Sequence, residues 1–245
     1  MQSPQALILA PTFELAVQIG SVIERMAHFL PHIKIAYAVR DPSISKKASR
    51  VRNQLLTEPI VIGTPGTVEE WCSKIRIIDL KQLRICCIDE ADLMIDAQGF
   101  REMCVRIVNN LNGPNCQMML FSATYSDEVM TFARETVPNA VVLRLRREKQ
   151  ALTNIKQYFI KCFSDEHKYQ AIEQIYSQLT VGQTMVSCRT KRSAHELAVR
   201  MANDGHSVKV LTAALEIEVR AAIIQQFRNG LFRVLISTNV TSRGT

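Results

Sequence analysis

The residues with the most chemistry in them fall into four short clusters. Asp89-Glu90-Ala91-Asp92 sets three carboxylates within four positions. Such crowding is repulsive unless a cation or hydrogen-bond donors compensate it. The tetrapeptide follows the apolar run Ile85-Cys86-Cys87-Ile88, so a buried strand would deliver two adjacent acids at its end. That arrangement suits nucleotide hydrolysis: one acid holds Mg2+, usually through water, and the next polarises the attacking water. An acidic first helical turn, favoured by the helix dipole, accounts for the same residues without catalysis. Pro11-Thr12, Thr64-Pro65-Gly66 and Ser122-Ala123-Thr124 each close another apolar run. Taken singly, each is explained by ordinary turn chemistry.

The elements that must position these clusters follow from periodicity. Leu7–Ala10, Ile60–Ile62, Ile85–Ile88 and Met118–Phe121 do not alternate polar with apolar, so they read as strands buried on both faces. Helical periods fall at about 13–30, 44–57, 67–75, 99–112 and 127–136. Strand–helix alternation predicts βαβ units and a parallel sheet with helices on both faces. In open sheets of this kind ligands bind at the carboxyl ends of the strands, where all four clusters lie. The pattern restarts after residue 150, with strands Ile155–Ile160, Thr184–Cys188, Val208–Leu211 and Val234–Ser237. Helices are expected near 165–179, 191–204 and 216–229. The charged stretch from Leu145 to Ala151 has no apolar period. The expected organisation is a first α/β domain over 1–146, a linker at 147–153 and a second α/β domain over 154–245.

Length and composition bound the remaining classes. The chain has 245 residues, 47% hydrophobic and 22% charged, which excludes a disordered or fibrous protein. No apolar run approaches the ~18 residues needed to span a bilayer. The N-terminus lacks the features of a signal peptide. The seven cysteines form no CxxC and mostly sit in apolar runs, which reads as small buried hydrophobes in a reducing compartment. The net charge is +7, and it is unevenly spread. Residues 1–146 hold 16 Lys/Arg against 15 Asp/Glu, whereas 147–245 hold 14 against 8. A basic second half favours a polyanionic partner over a merely solvated surface.

Taken jointly, the clusters resemble the motifs of the DEAD-box RNA helicases. Asp89-Glu90-Ala91-Asp92 and Ser122-Ala123-Thr124 resemble motifs II and III. Pro11-Thr12-Phe13-Glu14-Leu15-Ala16 resembles motif Ia, and Thr64-Pro65-Gly66 resembles motif Ib. The run from Ser237 to Gly244 resembles motif V. All stand in the family's order and spacing. Phe13, Thr67, Tyr37-Ala38-Val39-Arg40, Trp71-Cys72-Ser73-Lys74, Ile155-Lys156-Gln157-Tyr158 and Thr238-Asn239-Val240 are similar to the branch that acts in messenger-RNA export.

The resemblance implies two tandem RecA-like domains with parallel sheets, each incomplete, and an RNA-stimulated ATPase using ATP and Mg2+. It implies that Asp89 and Glu90 serve the metal, through water, and the hydrolytic water. Asp92 would bond to Ser122 and Thr124, coupling nucleotide occupancy to domain closure. Arg243 would lie near the nucleotide. Pro11, Thr12, Glu14, Thr64, Pro65 and Gly66 would line the RNA path of the first domain, with Arg189 and Thr238 contributing from the second. Implied partners are single-stranded RNA or ribonucleoprotein, a pore-filament nucleoporin and an inositol-hexakisphosphate-dependent export activator. A monomer is expected, cytoplasmic and nuclear, at the cytoplasmic face of the nuclear pore.

The sequence also departs from the pattern. No GxxxxGK[ST] phosphate loop and no HRxGRxGR motif stand in it. An expectation of truncation, with the isolated stretch inactive, follows. Ser187 and Arg189 replace the usual aromatic and histidine of motif IV. Ala213 replaces a glycine, Val219 replaces the glutamine of QxxR although Arg220 remains, and Arg40-Asp41 stands where many relatives pair glycines. A non-catalytic RNA- or regulator-binding paralogue is therefore the alternative. DNA translocases share the tandem fold, but the DEAD tetrapeptide with Ser-Ala-Thr favours RNA.

Overall fold

Helices of six to fourteen residues alternate with four-residue strands, because apolar runs are cut short by capping residues. Thr12 caps the first helix, its hydroxyl accepting from Leu15 N at 3.2 Å. Ser126, Ser164 and Thr190 cap later helices in the same way. The structure, a computed structural model, describes residues 3–40, 55–96, 99–111, 115–137, 139–144, 155–179 and 182–238. These fall into two compact units, one up to Ala140 and one from Val141 onward.

The first unit runs β1 (Ala6–Leu9), α1 (Phe13–Met26), β2 (Ile35–Ala38), β3 (Ile60–Gly63), α2 (Pro65–Ser73), β4 (Ile85–Ile88), α3 (Ala91–Asp96), α4 (Phe100–Asn109), β5 (Gln117–Leu120) and α5 (Asp127–Thr136). A short 3-10 turn at Leu80–Gln82 precedes β4. The sheet order is β2-β3-β1-β4-β5, and every pairing is parallel. Leu7, Leu9, Val61, Cys86 and Ile88 pack on one face with Met94 and Phe132. Ile62 packs on the other with Leu15 and Ala16 of α1. Burial on both faces is why these strands read as continuous apolar runs. Gly63 is obligatory at the end of β3: a Cβ there would stand 2.2 Å from Ala38 O.

The second unit runs α6 (Asp165–Gln178), β6 (Thr184–Ser187), α7 (Lys191–Asn203), β7 (Val208–Leu211), α8 (Ile217–Arg228) and β8 (Val234–Ser237). Its sheet is β6-β8-β7, again parallel. Ala194, Met201, Val234 and Ile236 form one small cluster, and Leu211, Phe232 and Leu235 another.

Several expectations change. Ile155–Ile160 is not a strand: it pairs with no described strand, and Tyr158 and Phe159 are almost fully exposed. An apolar run is a strand only where a neighbour completes its backbone hydrogen bonds. The first helix stops at Met26 rather than 30, where Ala27 leaves helical geometry ahead of Pro31. β2 and the six-residue α3 were not anticipated. The helix expected at 44–57 falls mainly on residues outside those described, and 55–58 have no regular structure. The linker at 147–153 also lies outside them. Among the described residues, no helix is long and apolar enough to cross a membrane.

Candidate active site and nucleic-acid interface

Parallel register gathers the four clusters on one edge. Leu9 stands opposite both Gly63 and Ile88, and Ile88 opposite Leu120. The residues that follow therefore emerge side by side. Asp89 N donates to Leu9 O at 3.0 Å, Phe121 N to Ile88 O at 2.9 Å and Ala10 N to Gly63 O at 3.0 Å. The chain crosses from β3 on one side of β1 to β4 on the other, which makes this edge a topological switch point.

At its centre, β4 turns into α3 through Glu90, whose φ of 50° lies in the left-handed region. A non-glycine residue pays roughly 1–2 kcal/mol for that conformation. Local bonds hold it: Glu90 N donates to Asp89 Oδ1 at 2.9 Å, Ala91 N to Phe121 O at 3.0 Å and Met94 N to Glu90 O at 3.1 Å. The turn leaves Asp89 and Glu90 half-buried. Burial, and secondarily the neighbouring Glu90 charge, pushes the Asp89 carboxyl above the usual carboxylate range; the Glu90 amide opposes this. Strain at a strand end beside two acids makes this turn a candidate functional position.

Asp92 is buried and fully engaged. Thr124 Oγ1 donates to Asp92 Oδ2 at 2.6 Å, and Leu93 N to Oδ1 at 3.0 Å. Asp92 N donates to Ser122 Oγ at 3.3 Å, and Ser122 Oγ donates onward to Thr124 O at 2.8 Å. The three residues thus lock the end of β5 to the first turn of α3, across 30 and 32 positions of sequence.

The other expected residues of this unit lie on the same edge. Thr12 caps α1, with Pro11 before it and Glu14 in the first turn. Thr64 precedes α2, and Thr64 N donates to Ala38 O at 3.1 Å. Its hydroxyl pairs with the buried Thr67 hydroxyl at 3.3 Å instead of capping an amide. Pro65 occupies the first helical position, where its missing N–H costs nothing. Gly66 has no conformational need to be glycine: a Cβ there would meet only Met103 Sδ, at an ordinary 3.7 Å. The small residue leaves the backbone bare at this edge. Thr67 was singled out in the sequence only as a departure from an expected arginine; its three-residue spacing from Thr64 is the signal for their pairing.

In the second unit, Cys188 N donates to Ser237 O at 2.7 Å and Thr238 N to Leu211 O at 3.3 Å, which aligns the three carboxyl ends. Thr238 is buried there and Arg189 is exposed, just ahead of the Thr190 cap. Helix α7 then opens on Lys191 and Arg192 with no acid in its first turn, against the dipole preference. Arg192 spends its charge on Glu196 at 2.7 Å. Arg243 lies outside the described residues.

The chain matches the DEAD/DEAH box helicase family over residues 1–132 and the helicase conserved C-terminal domain over residues 167–245. The chain belongs to the DEAD/DEAH box helicase family, and its two parallel sheets are RecA-like domains. It is 46% identical over 241 residues to human ATP-dependent RNA helicase DDX19A, covering 98% of this chain and 49% of that protein. S. cerevisiae Dbp5 bound to RNA and ADP BeF3 superposes with a TM-score of 0.87 at 34% identity, over all of this chain and 60% of the other. A Dbp5 variant bound to Nup159, a Gle1 variant, IP6 and ADP gives a TM-score of 0.65 at 33% identity, over 98% and 60%. The chain spans about half the length of the curated relatives it matches.

Proposed function

We propose that this chain carries the hydrolytic edge and RNA path of an ATP-dependent RNA helicase, an RNA-stimulated ATPase that remodels RNA or RNA–protein complexes in messenger-RNA export. The observation that carries the reading is the left-handed turn that aims Asp89 and Glu90 from one strand end while Asp92, Ser122 and Thr124 bond to one another beside it. Asp89 and Glu90 fit magnesium: they are hard oxygen donors, half-buried, and mutually repulsive until a cation arrives. Asp89 and Glu90 would hold the ion through water, and it would supply charge neutralisation for phosphoryl transfer. Glu90 orients and deprotonates the attacking water. Asp92, held by Thr124, transmits the state of the acidic turn to β5. Thr12, Glu14, Thr64, Pro65 and Gly66, with Pro11, offer backbone and hydroxyl contacts to RNA phosphates, and Arg189 and Thr238 do so from the second domain.

The domain assignment that accompanies this reading is 1–146 and 154–245. The solved relatives support RNA, a pore-filament nucleoporin and an inositol-hexakisphosphate-dependent activator as partners, and the cytoplasmic face of the nuclear pore as the place of action. The test is a graft. Residues 1–245 replace the matching segment of yeast Dbp5, which supplies the family motifs that the chain lacks. RNA-stimulated phosphate release from ATP is the expected result, and its absence from a folded graft contradicts the reading.

A non-catalytic RNA- or regulator-binding role is the second reading. It is favoured by Ser187, Ala213 and the exposed Val219 on α8, none of which supplies the group expected at its position. That role requires RNA binding by the 245-residue chain to be weak and indifferent to ATP.

A further inference from the structure

The backbone at Gly66 can serve RNA only if the first turn of α2 is held at a fixed place on the edge. Little within α2 does so. The helix has nine residues, too few for stability on its own. Thr64 caps none of its amides. What fixes α2 comes from outside it, first through burial of Pro65, Thr67, Val68 and Trp71.

A second hold is the seam with α4, against which α2 packs. Two contacts define it. A Cβ on Gly66 would stand 3.7 Å from Met103 Sδ. One helical turn further along, Arg106 Nε donates to Glu69 Oε1 at 2.5 Å and Arg106 Nη2 to Glu69 Oε2 at 3.2 Å. Gly66 and Glu69 are three positions apart on α2, as Met103 and Arg106 are on α4, so each pair shares one helix face. Paired bonds from a planar guanidinium to a planar carboxylate add geometric specificity that a single bond lacks. They restrain both the roll of α2 and its slide along α4. Arg106 is about half exposed and Glu69 about a quarter. An exposed ion pair adds little to stability, so the consequence of this one is geometric.

We propose that Arg106 is a positioning residue for the RNA path. Through Glu69 it sets the first turn of α2, and with it Thr64, Pro65 and Gly66, for contact with phosphates. The inference rests on the RNA path proposed above and adds what holds that path in place. Arg106 acts through Glu69 and not as a charge offered to RNA. Arg101, on the same helix, pairs with Glu135 of α5 at 3.0 Å and supplies the control.

The experiment measures binding of a fluorescein-labelled oligouridine to the 245-residue chain by polarisation, with a urea titration of each variant to confirm folding. Arg106→Gln and Glu69→Gln should each weaken binding about threefold, and the two together no more than either alone. Glu69→Gln discriminates most sharply. Were Arg106 a simple attractive charge, removing the acid beside it would tighten binding to a polyanion. Positioning predicts the opposite. Exchanging the partners, Arg106→Glu with Glu69→Arg, should restore affinity to within about twofold. Arg101→Gln removes the same charge from α4 and should leave affinity unchanged. Unaltered affinity in Arg106→Gln, tighter binding in Glu69→Gln, or equal weakening by Arg101→Gln would each overturn the proposal. An unmodified chain that binds no oligouridine would overturn the RNA path, and this inference with it. A chain that binds, with every variant bound equally, overturns only the role of Arg106.

Discussion

The two sheets end in different ways at their carboxyl edges. In the first unit that edge is cross-wired: Asp92, Ser122 and Thr124 bond across 30 residues of sequence, and Glu90 holds a costly φ between them. Beneath it lies a core that includes Trp71, Met94 and Phe132. In the second unit Arg189 stands in solvent at that edge, and among the described residues two small clusters of four and three buried residues support the sheet. The contrast fits a division of labour. Chemistry demands carboxylates fixed to fractions of an ångström, whereas holding a polyanion demands charge that is accessible.

That contrast can be broken most severely through the cores. Trp71 is the sole tryptophan and is buried in the first unit, so its fluorescence reports that unit's unfolding. Phe132→Ala should destabilise the Trp71 transition by about 3–5 kcal/mol. Leu235→Ala should leave that transition in place and shift the far-ultraviolet signal of the second unit. A common shift in both signals would mean that the units do not melt separately. Next in size, Thr124→Val strips the Asp92 carboxylate of a donor and should cost about 1–3 kcal/mol in a urea titration followed by Trp71 fluorescence. No change would show that the cross-wiring carries no load.

Gly66→Ala should act in opposite directions on fold and function. It should stabilise the first unit by about 0.5–1 kcal/mol, since a helical glycine is replaced where a Cβ has room. RNA affinity measured on the same variant should fall; unchanged affinity would remove Gly66 from the path. Asp89→Asn should have the smallest effect. Its carboxyl is raised above the usual range, so its protonated form favours folding at low pH and that contribution is lost as pH rises through the folded value. The variant should therefore melt slightly higher than wild type at neutral pH, with the gain shrinking on acidification or on addition of Mg2+. A gain that persists in acid would contradict the burial argument.

Much of this was legible in the residues. Apolar runs closed by Asp89, Thr64 and Ser122 gave strands and their functional ends directly, because a doubly covered parallel strand has no polar face to disguise it. β2 escaped because Ile35–Ala38 is half-buried and mixes a tyrosine with two alanines. α3 escaped because six residues are too few for a helical period to declare itself. Ile155–Ile160 misled in the other direction, since composition reports apolarity and not the presence of a neighbour. Side-chain wiring was legible only through resemblance: nothing in spacing alone says that Thr124 reaches Asp92.

The central claim is that the turn at Glu90 is where hydrolysis happens. It is tested most directly by phosphate release from ATP, with saturating single-stranded RNA, in the Dbp5 graft carrying Glu90→Gln. Loss of a positioned general base predicts a fall in turnover of about 10²–10⁴-fold with RNA binding retained. Turnover at the rate of the unmodified graft would contradict the account.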